Sequence, residues 1–266
     1  FRRFTYAYLP GALEELERTF GRPIRSLDRL TDLLDAQFER WVEEGRVALK
    51  IADAYRRDIL YEDSPREDAD AVFRRIFTLR RIVSIQETLS FREARPFENY
   101  MTHRVLERAE ERGLPVIIHT GFQAFTNNDL NCARPGLLVN LIMKYPRLRF
   151  HILHCGYPWV GEAASLAKMY PNVTLDLTWT QVIAPEGARE GLSHILDMAP
   201  MNKIHVFGGD HLFPELVPGA LETARENTAH VLAERIGRGL LTENRAVEIA
   251  HKLFHVNAER IFGLGK

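Results

Sequence analysis

The sequence predicts an α/β fold built on a parallel sheet with helical crossovers, and three observations carry that reading. From about Phe97 onward, short apolar runs alternate with stretches of helical periodicity. The runs are rich in β-branched residues and are apolar on both faces, as in strands covered by helices. No repeat, low-complexity segment or linker interrupts the 266 residues, so 1–266 reads as a single domain.

Composition narrows the field. Lys plus Arg number 35 against 36 Asp plus Glu, for a net charge of -1, with 45% apolar and 27% charged residues. These values exclude a disordered tail, a collagen-like chain and a polybasic nucleic-acid binder. Two cysteines, Cys132 and Cys155, are too few for a disulfide framework, so a reducing cytoplasm is expected. No apolar run approaches the roughly 20 residues that span a bilayer. Phe1-Arg2-Arg3-Phe4 is no secretory leader, and a start without Met fits a piece of a longer protein. A small-molecule substrate is the expected partner, with neither nucleic acid nor membrane.

The elements follow in order. Leu13, Leu16 and Phe20, then Leu27, Leu30, Leu34 and Phe38, recur at helical spacing over 11–44, with Ser26 placed to cap the second helix. Gly45 ends the pattern, and residues 46–51 form a short strand containing Lys50. Residues 53–68 are a charged loop, and 67–90 are helical again. A helix at 98–112 stops at Arg112-Gly113. Strands follow at 115–119, 149–154, 173–178 and 204–208, separated by helices at 136–145, 160–170 and 188–198. A helical tail covers 218–236 and 243–262. Its partly apolar helices offer a surface for a homo-oligomer.

Three strands end in a polar residue followed by glycine or a turn: His119-Thr120-Gly121, His154-Cys155-Gly156 and Gly208-Gly209-Asp210-His211. In a parallel α/β barrel the C-terminal strand ends build the active site, and glycine there permits close approach of backbone or ligand. His119 and His154 lie 35 positions apart, about one βα unit. His154 and Asp210 lie 56 apart, about two. Two imidazoles and a carboxylate on one rim suit Zn²⁺ or a similar divalent ion, which lowers the pKa of bound water. A lone histidine at a strand end is more often a hydrogen-bonded structural group; the three together are the signal. His151, three positions before His154, is expected on the opposite face, under a helix, and His205 is likewise read as structural. Asp176, inside a strand, is either a buried hydrogen-bonded carboxylate or a pocket residue.

Lys50 in an apolar strand is costly to bury unpaired. It reads as a metal-bridging carbamate, an anion-binding ammonium or a strand-end lysine reaching solvent. Arg56 could grip a substrate carboxylate, or be a solvated loop charge. Phe122, Phe125, Tyr157, Trp159, Trp179 and Phe213 each follow a strand, where aromatics either wall a pocket or cover the loops. Cys155 beside His154 is discounted as a Cys–His pair. Gly208-Gly209 is no dinucleotide fingerprint, because no G-x-G-x-x-G opens a helix.

The segments Leu114–Phe122, His154–Trp159, Tyr170–Leu177 and Phe207–His211, with the tail Asn257–Phe262, resemble the amidohydrolase superfamily in its amidohydrolase-2 branch. The likeness runs from about Val47 to Phe262, and extends to the amidohydrolase-like domain fused to some glutamine synthetase-like proteins. It implies a (β/α)₈ TIM barrel of the metal-dependent hydrolase type, with only the C-terminal five or so βα units present. It implies one or two divalent ions, Zn²⁺ being the expected one. By resemblance His119 is a metal ligand, and His154 is a second ligand or an acid/base and oxyanion stabiliser. Asp210 touches metal and takes the proton of the attacking water. Lys50 occupies a position where some relatives use lysine. Tyr157, Trp159, Trp179, His211 and Arg56 are the candidate substrate contacts. One departure stands out. The superfamily's first strand carries His-x-His, and none occurs in this sequence; a missing N-terminal portion and a true loss both account for it.

The expected function is metal-dependent hydrolysis of a C–N or C–O bond in a small carboxylated molecule. The alternatives are a decarboxylase or uronate isomerase-like enzyme on the same site, and a metal-free barrel acting as a binding or fusion module.

Overall fold

The computed structural model describes residues 2–79 and 89–264, so part of the helix read at 67–90 lies outside the described residues. Two compact units are present: Phe1–Arg46 with Leu60–Arg112, and Val47–Ile59 with Gly113–Lys266.

The first unit is helical: α1 (Arg2–Thr5), α2 (Ala12–Phe20), α3 (Leu27–Glu43), α4 (Arg66–Leu79) and α5 (Phe91–Glu111). The Ser26 side chain accepts from the Arg29 amide at 3.2 Å, capping α3 as its position predicts. Leu27, Leu30, Leu34 and Phe38 line the buried stripe of that helix. α5 begins seven residues earlier than the 98–112 reading. The cause is a reciprocal cap: Ser90 Oγ accepts from the Glu93 amide, and the Glu93 carboxylate accepts from the Ser90 amide. Arg108 grips Asp35 of α3 through two bonds of 2.8 and 2.9 Å.

The second unit holds the sheet. Its elements are β1 (Leu49–Ile51), β2 (Val116–His119), α6 (Val139–Lys144), β3 (Phe150–Leu153), α7 (Val160–Met169), β4 (Val173–Asp176), α8 (Thr180–Ile183), α9 (Pro185–Met198), β5 (Ile204–His205), α10 (Val217–Gly237), α11 (Glu243–His251) and α12 (Asn257–Phe262). All five strands are parallel and pair in sequence order. Among the described residues this is an α/β fold on a five-stranded parallel sheet with helical crossovers.

Register separates the faces. Leu49, Val116, Phe150 and Val173 form one row, and Ile51, Ile118, Ile152, Leu175 and Ile204 form another two residues on. Both rows are buried, and each such side chain removed from water contributes roughly 1.5–3 kcal/mol. The rows between them lie on the opposite face. They carry Lys50, Ile117, His151 and Thr174, then His119, Leu153, Asp176 and His205. The polar side chains of the sheet thus share one face, among Ile117 and Leu153, while the other face is apolar throughout. Among the described residues, no helix is long and apolar enough to cross a membrane. Both cysteines are free thiols.

Candidate active site

The site is built where strands give way to loops. His119 is the last residue of β2. His154 follows β3 in a tight turn, and Asp210 sits in the loop after β5. The backbone there is left-handed at His154 (φ 62°), Cys155 (44°), Trp179 (64°) and Asp210 (42°). Non-glycine residues rarely adopt this region, and clusters of such strain mark sites where side-chain direction matters more than backbone comfort.

The two imidazoles face each other, with His119 Nδ1 3.1 Å from His154 Nε2. Each outer nitrogen meets a backbone carbonyl: His119 Nε2 to Phe122 O at 3.0 Å, and His154 Nδ1 to Thr178 O at 2.7 Å. A carbonyl oxygen only accepts, so both outer nitrogens carry the proton. Burial holds the His119 pKa down to about 3, helped by the neighbouring His154 and Lys50 charges. Burial also lowers that of His154, against the upward pull of the Thr178 carbonyl. Two neutral rings in these tautomers aim lone pairs at each other. Asp210 Oδ2 lies 3.4 Å from His154 Nε2, and Asp210 Oδ1 accepts from Lys50 Nζ at 2.9 Å. Converging lone pairs whose outer N–H groups are pinned to carbonyls form a donor set that fits a divalent cation.

Beside these donors opens a cavity of about 410 Å³. Lys50, Tyr55, His119, Asp210 and His211 supply its polar lining. Phe125, Trp179, Leu212, Phe213 and Leu216 supply an apolar wall. The Tyr55 ring lies 4.8 Å from that of His119, and its hydroxyl accepts from the Ala124 amide at 3.1 Å. The Trp179 ring meets His154 edge-on at 5.6 Å. His211 Nε2 is buried with no hydrogen-bond partner among the described residues. Leu212, Phe213 and Phe125 are strongly exposed.

The sequence candidates divide accordingly. Lys50, His119, His154 and Asp210 come together, and Trp179 and His211 line the cavity with Lys50, His119 and Asp210. Arg56, Tyr157 and Trp159 are not among the lining residues. Arg56 is exposed at the end of a short turn. The Tyr157 ring lies against Gly187, where an added Cβ would meet it at 2.6 Å. The Arg134 guanidinium is 6.0 Å from the Trp159 ring. Cys155 is fully buried, and burial pushes its thiol up to about 12, consistent with discounting it as a nucleophile.

The placement of His151 on the opposite face is corrected, although a helix does cover it: its ring meets that of Phe262 of α12 edge-on at 5.2 Å. β3 ends at Leu153, and the left-handed turn at His154 breaks the alternation on which that parity argument depended. His151 shares a row with Lys50 and Ile117. With Asp176 and His205 it forms a buried group whose ligand atoms all lie within 4.8 Å of one another. The sequence held a signal for this, polar residues in three consecutive apolar strands, but only the register places them together.

The sequence model of a family described as amidohydrolase matches residues 11–264. The chain is 28% identical over 229 residues to Protein fluG of Emericella nidulans, covering 83% of this chain and 26% of that protein. It therefore spans about a quarter of the length of that curated relative. Among solved structures it resembles a uronate isomerase from Thermotoga maritima (TM-score 0.77, 16% identity, 98% of this chain and 60% of that one). It also resembles a glucuronate isomerase from Caulobacter crescentus (TM-score 0.75, 18% identity, 97% and 55%). At these identities the likeness is one of fold.

Proposed function

Because the chain belongs to the amidohydrolase family, we propose that its rim site hydrolyses a C–N or C–O bond of a small carboxylated molecule with the help of one divalent ion, Zn²⁺ in the first instance. The observation carrying this reading is the 3.1 Å opposition of His119 Nδ1 and His154 Nε2, with Asp210 beside them. His119, His154 and Asp210 would hold the ion, which supplies a Lewis acid that makes water acidic near neutral pH.

The remaining work falls to the chain. Lys50 holds Asp210 Oδ1, which leaves Oδ2 to accept a proton from the nucleophile. The Thr178 carbonyl fixes the His154 proton on Nδ1, so Nε2 serves as ligand or base. It can donate to an oxyanion only after taking up a proton. The Lys50 ammonium and the unpartnered His211 Nε2 are the polar contacts offered to a substrate carboxylate. The wall of Phe125, Trp179, Leu212, Phe213 and Leu216 suits an apolar or aromatic body better than a polyhydroxylated one. This disfavours a sugar acid as substrate, and with it the isomerase alternative.

The test is metal content and product class. The full chain should bind divalent ion, and His119→Gln and Asp210→Asn should each lower its affinity at the rim and abolish release of acid from an ester and amide panel. Unchanged binding and turnover in both variants would reject the assignment. Release of CO₂ without bond hydrolysis would replace hydrolysis with decarboxylation.

A further inference from the structure

We propose that His151, Asp176 and His205 form a second divalent-cation site on the same face of the sheet, the lower of the two because its ligands lie within the strands while His154 and Asp210 lie beyond the strand ends. Three consecutive parallel strands supply one ligand each, so the spacing is set by the sheet and not by loops. His151 Nε2 lies 3.1 Å from Asp176 Oδ2, and His205 Nδ1 lies 3.3 Å from the same oxygen. Metal–ligand distances of about 2.0–2.1 Å put tetrahedral ligands roughly 3.3–3.4 Å apart. Both measured edges are within a few tenths of an ångström of that value. Two histidines and a carboxylate leave the fourth position open, a ligand number suited to Zn²⁺-class ions.

The outer contacts point the same way. The Thr174 hydroxyl meets His151 Nδ1 at 2.8 Å and fixes the direction of the ring, so that Nε2 is the atom facing Asp176. The other oxygen of Asp176 accepts from the Thr178 amide, which fixes the carboxylate plane. His151 and Asp176 are almost wholly buried, as a retained ion requires.

A consequence for the rim follows from connectivity. Asp176 holds the Thr178 amide, and the Thr178 carbonyl holds His154 Nδ1. An ion on Asp176 would therefore stiffen the segment that orients His154, making Asp176 a positioning residue for the upper site.

Stoichiometry and ring-nitrogen spectra test this independently of the rim reading. The full chain is stripped with chelator and titrated with Zn²⁺, and bound ion is counted in wild type, His205→Gln and His119→Gln. The expected result is loss of one ion per chain in His205→Gln and of a different one in His119→Gln. If His119→Gln alone loses an ion, His151, Asp176 and His205 are a hydrogen-bonded network only and the proposal is overturned. If His205→Gln alone does, the lower site stands and the rim assignment fails. Should His205→Gln not fold, ¹H–¹⁵N correlation of the histidine rings in wild type decides. Zn²⁺ must shift His151 Nε2 and His205 Nδ1, and unmoved resonances reject the site.

Discussion

Gly121 is the most stringent single-residue test of the rim. It follows His119-Thr120 and has φ +68°. A Cβ built on it would lie 2.6 Å from the Gly156 carbonyl carbon and 2.7 Å from the Tyr157 amide nitrogen, and closer still to the Tyr157 carbonyl oxygen. All three are backbone atoms of the turn that carries His154, so no side chain can swing aside. Gly121→Ala therefore incurs two costs. The left-handed conformation costs roughly 1–2 kcal/mol for a residue with a Cβ, and forcing atoms into packed backbone costs a further 1–3 kcal/mol or so. The total is about 2–5 kcal/mol. Gly113 is the internal control: it has φ +64°, but nothing lies within 4 Å of the point where an alanine methyl would stand. Gly113→Ala should show the conformational cost alone. For a chain of this length about 2 °C of melting temperature corresponds to 1 kcal/mol. Gly113→Ala should then lower the midpoint by about 2–4 °C, and Gly121→Ala by about 4–10 °C. Thermal unfolding followed by circular dichroism measures both. Because the overlap would push the His154 turn away from His119, Gly121→Ala should also weaken ion binding, and Gly113→Ala should not. Equal midpoints for the two variants would refute the claim that the two strand ends touch through backbone.

Two further outcomes follow from the electrostatics. The Lys50–Asp210 pair is about one-third exposed on each side, where ion pairs contribute under about 1 kcal/mol. Lys50→Met should therefore leave the melting temperature within about 2 °C of wild type while abolishing turnover, and a large fall in stability with activity retained would make Lys50 structural. In chelator-treated protein His119 takes up its proton only near pH 3, against about 6.5 when unfolded. The unfolded chain thus binds more protons between those values, and stability falls as pH drops through that window, by up to about 1.4 kcal/mol per pH unit. Urea unfolding across the window should show this slope, and His119→Gln should flatten it. An identical slope in His119→Gln would place the titration elsewhere.

What the sequence disclosed depends on the range of the interaction involved. Five strands were legible because parallel strands buried on both faces read as near-continuous apolar runs bounded by turn residues. The residues at 119, 154 and 210 were legible because a strand's end is marked locally, by glycine. Gly121 and Gly156 meet in space for the reason their motifs suggested, close backbone approach. The start of α5 was also written locally, in Ser90 and Glu93, but hidden behind a charged stretch with little apolar periodicity. By contrast, Leu212 and Leu216 wall the cavity from a stretch where no period exists to read, and only Phe213 between them was a candidate. Tyr157 and Trp159 follow the same strand end as His154, yet their directions are set by Gly187 and by the loop bearing Arg134. No spacing rule gives those directions.

The His151 placement shows where period-two reasoning stops. Alternation assigns a face only while the backbone stays extended, and His154 leaves the extended region at φ 62°. The same departure brings His154 Nε2 to His119 Nδ1, and Trp179 and Asp210 turn left-handed at the corresponding strand ends. Three strands thus end in unfavourable backbone conformations, which put Trp179 and Asp210 on the cavity and His154 against His119 behind it. Strain of this kind costs of order 1–3 kcal/mol at each residue and persists only if other contacts hold it. Thr180 Oγ1 donating to His154 O at 3.1 Å and Lys50 on Asp210 are two such contacts. A cation shared by the facing nitrogens would be a third, and the only one that removes their mutual repulsion. Ion binding should therefore raise the midpoint of wild type more than that of His119→Gln, and an equal rise in the two would assign the stabilising ion to the lower site instead.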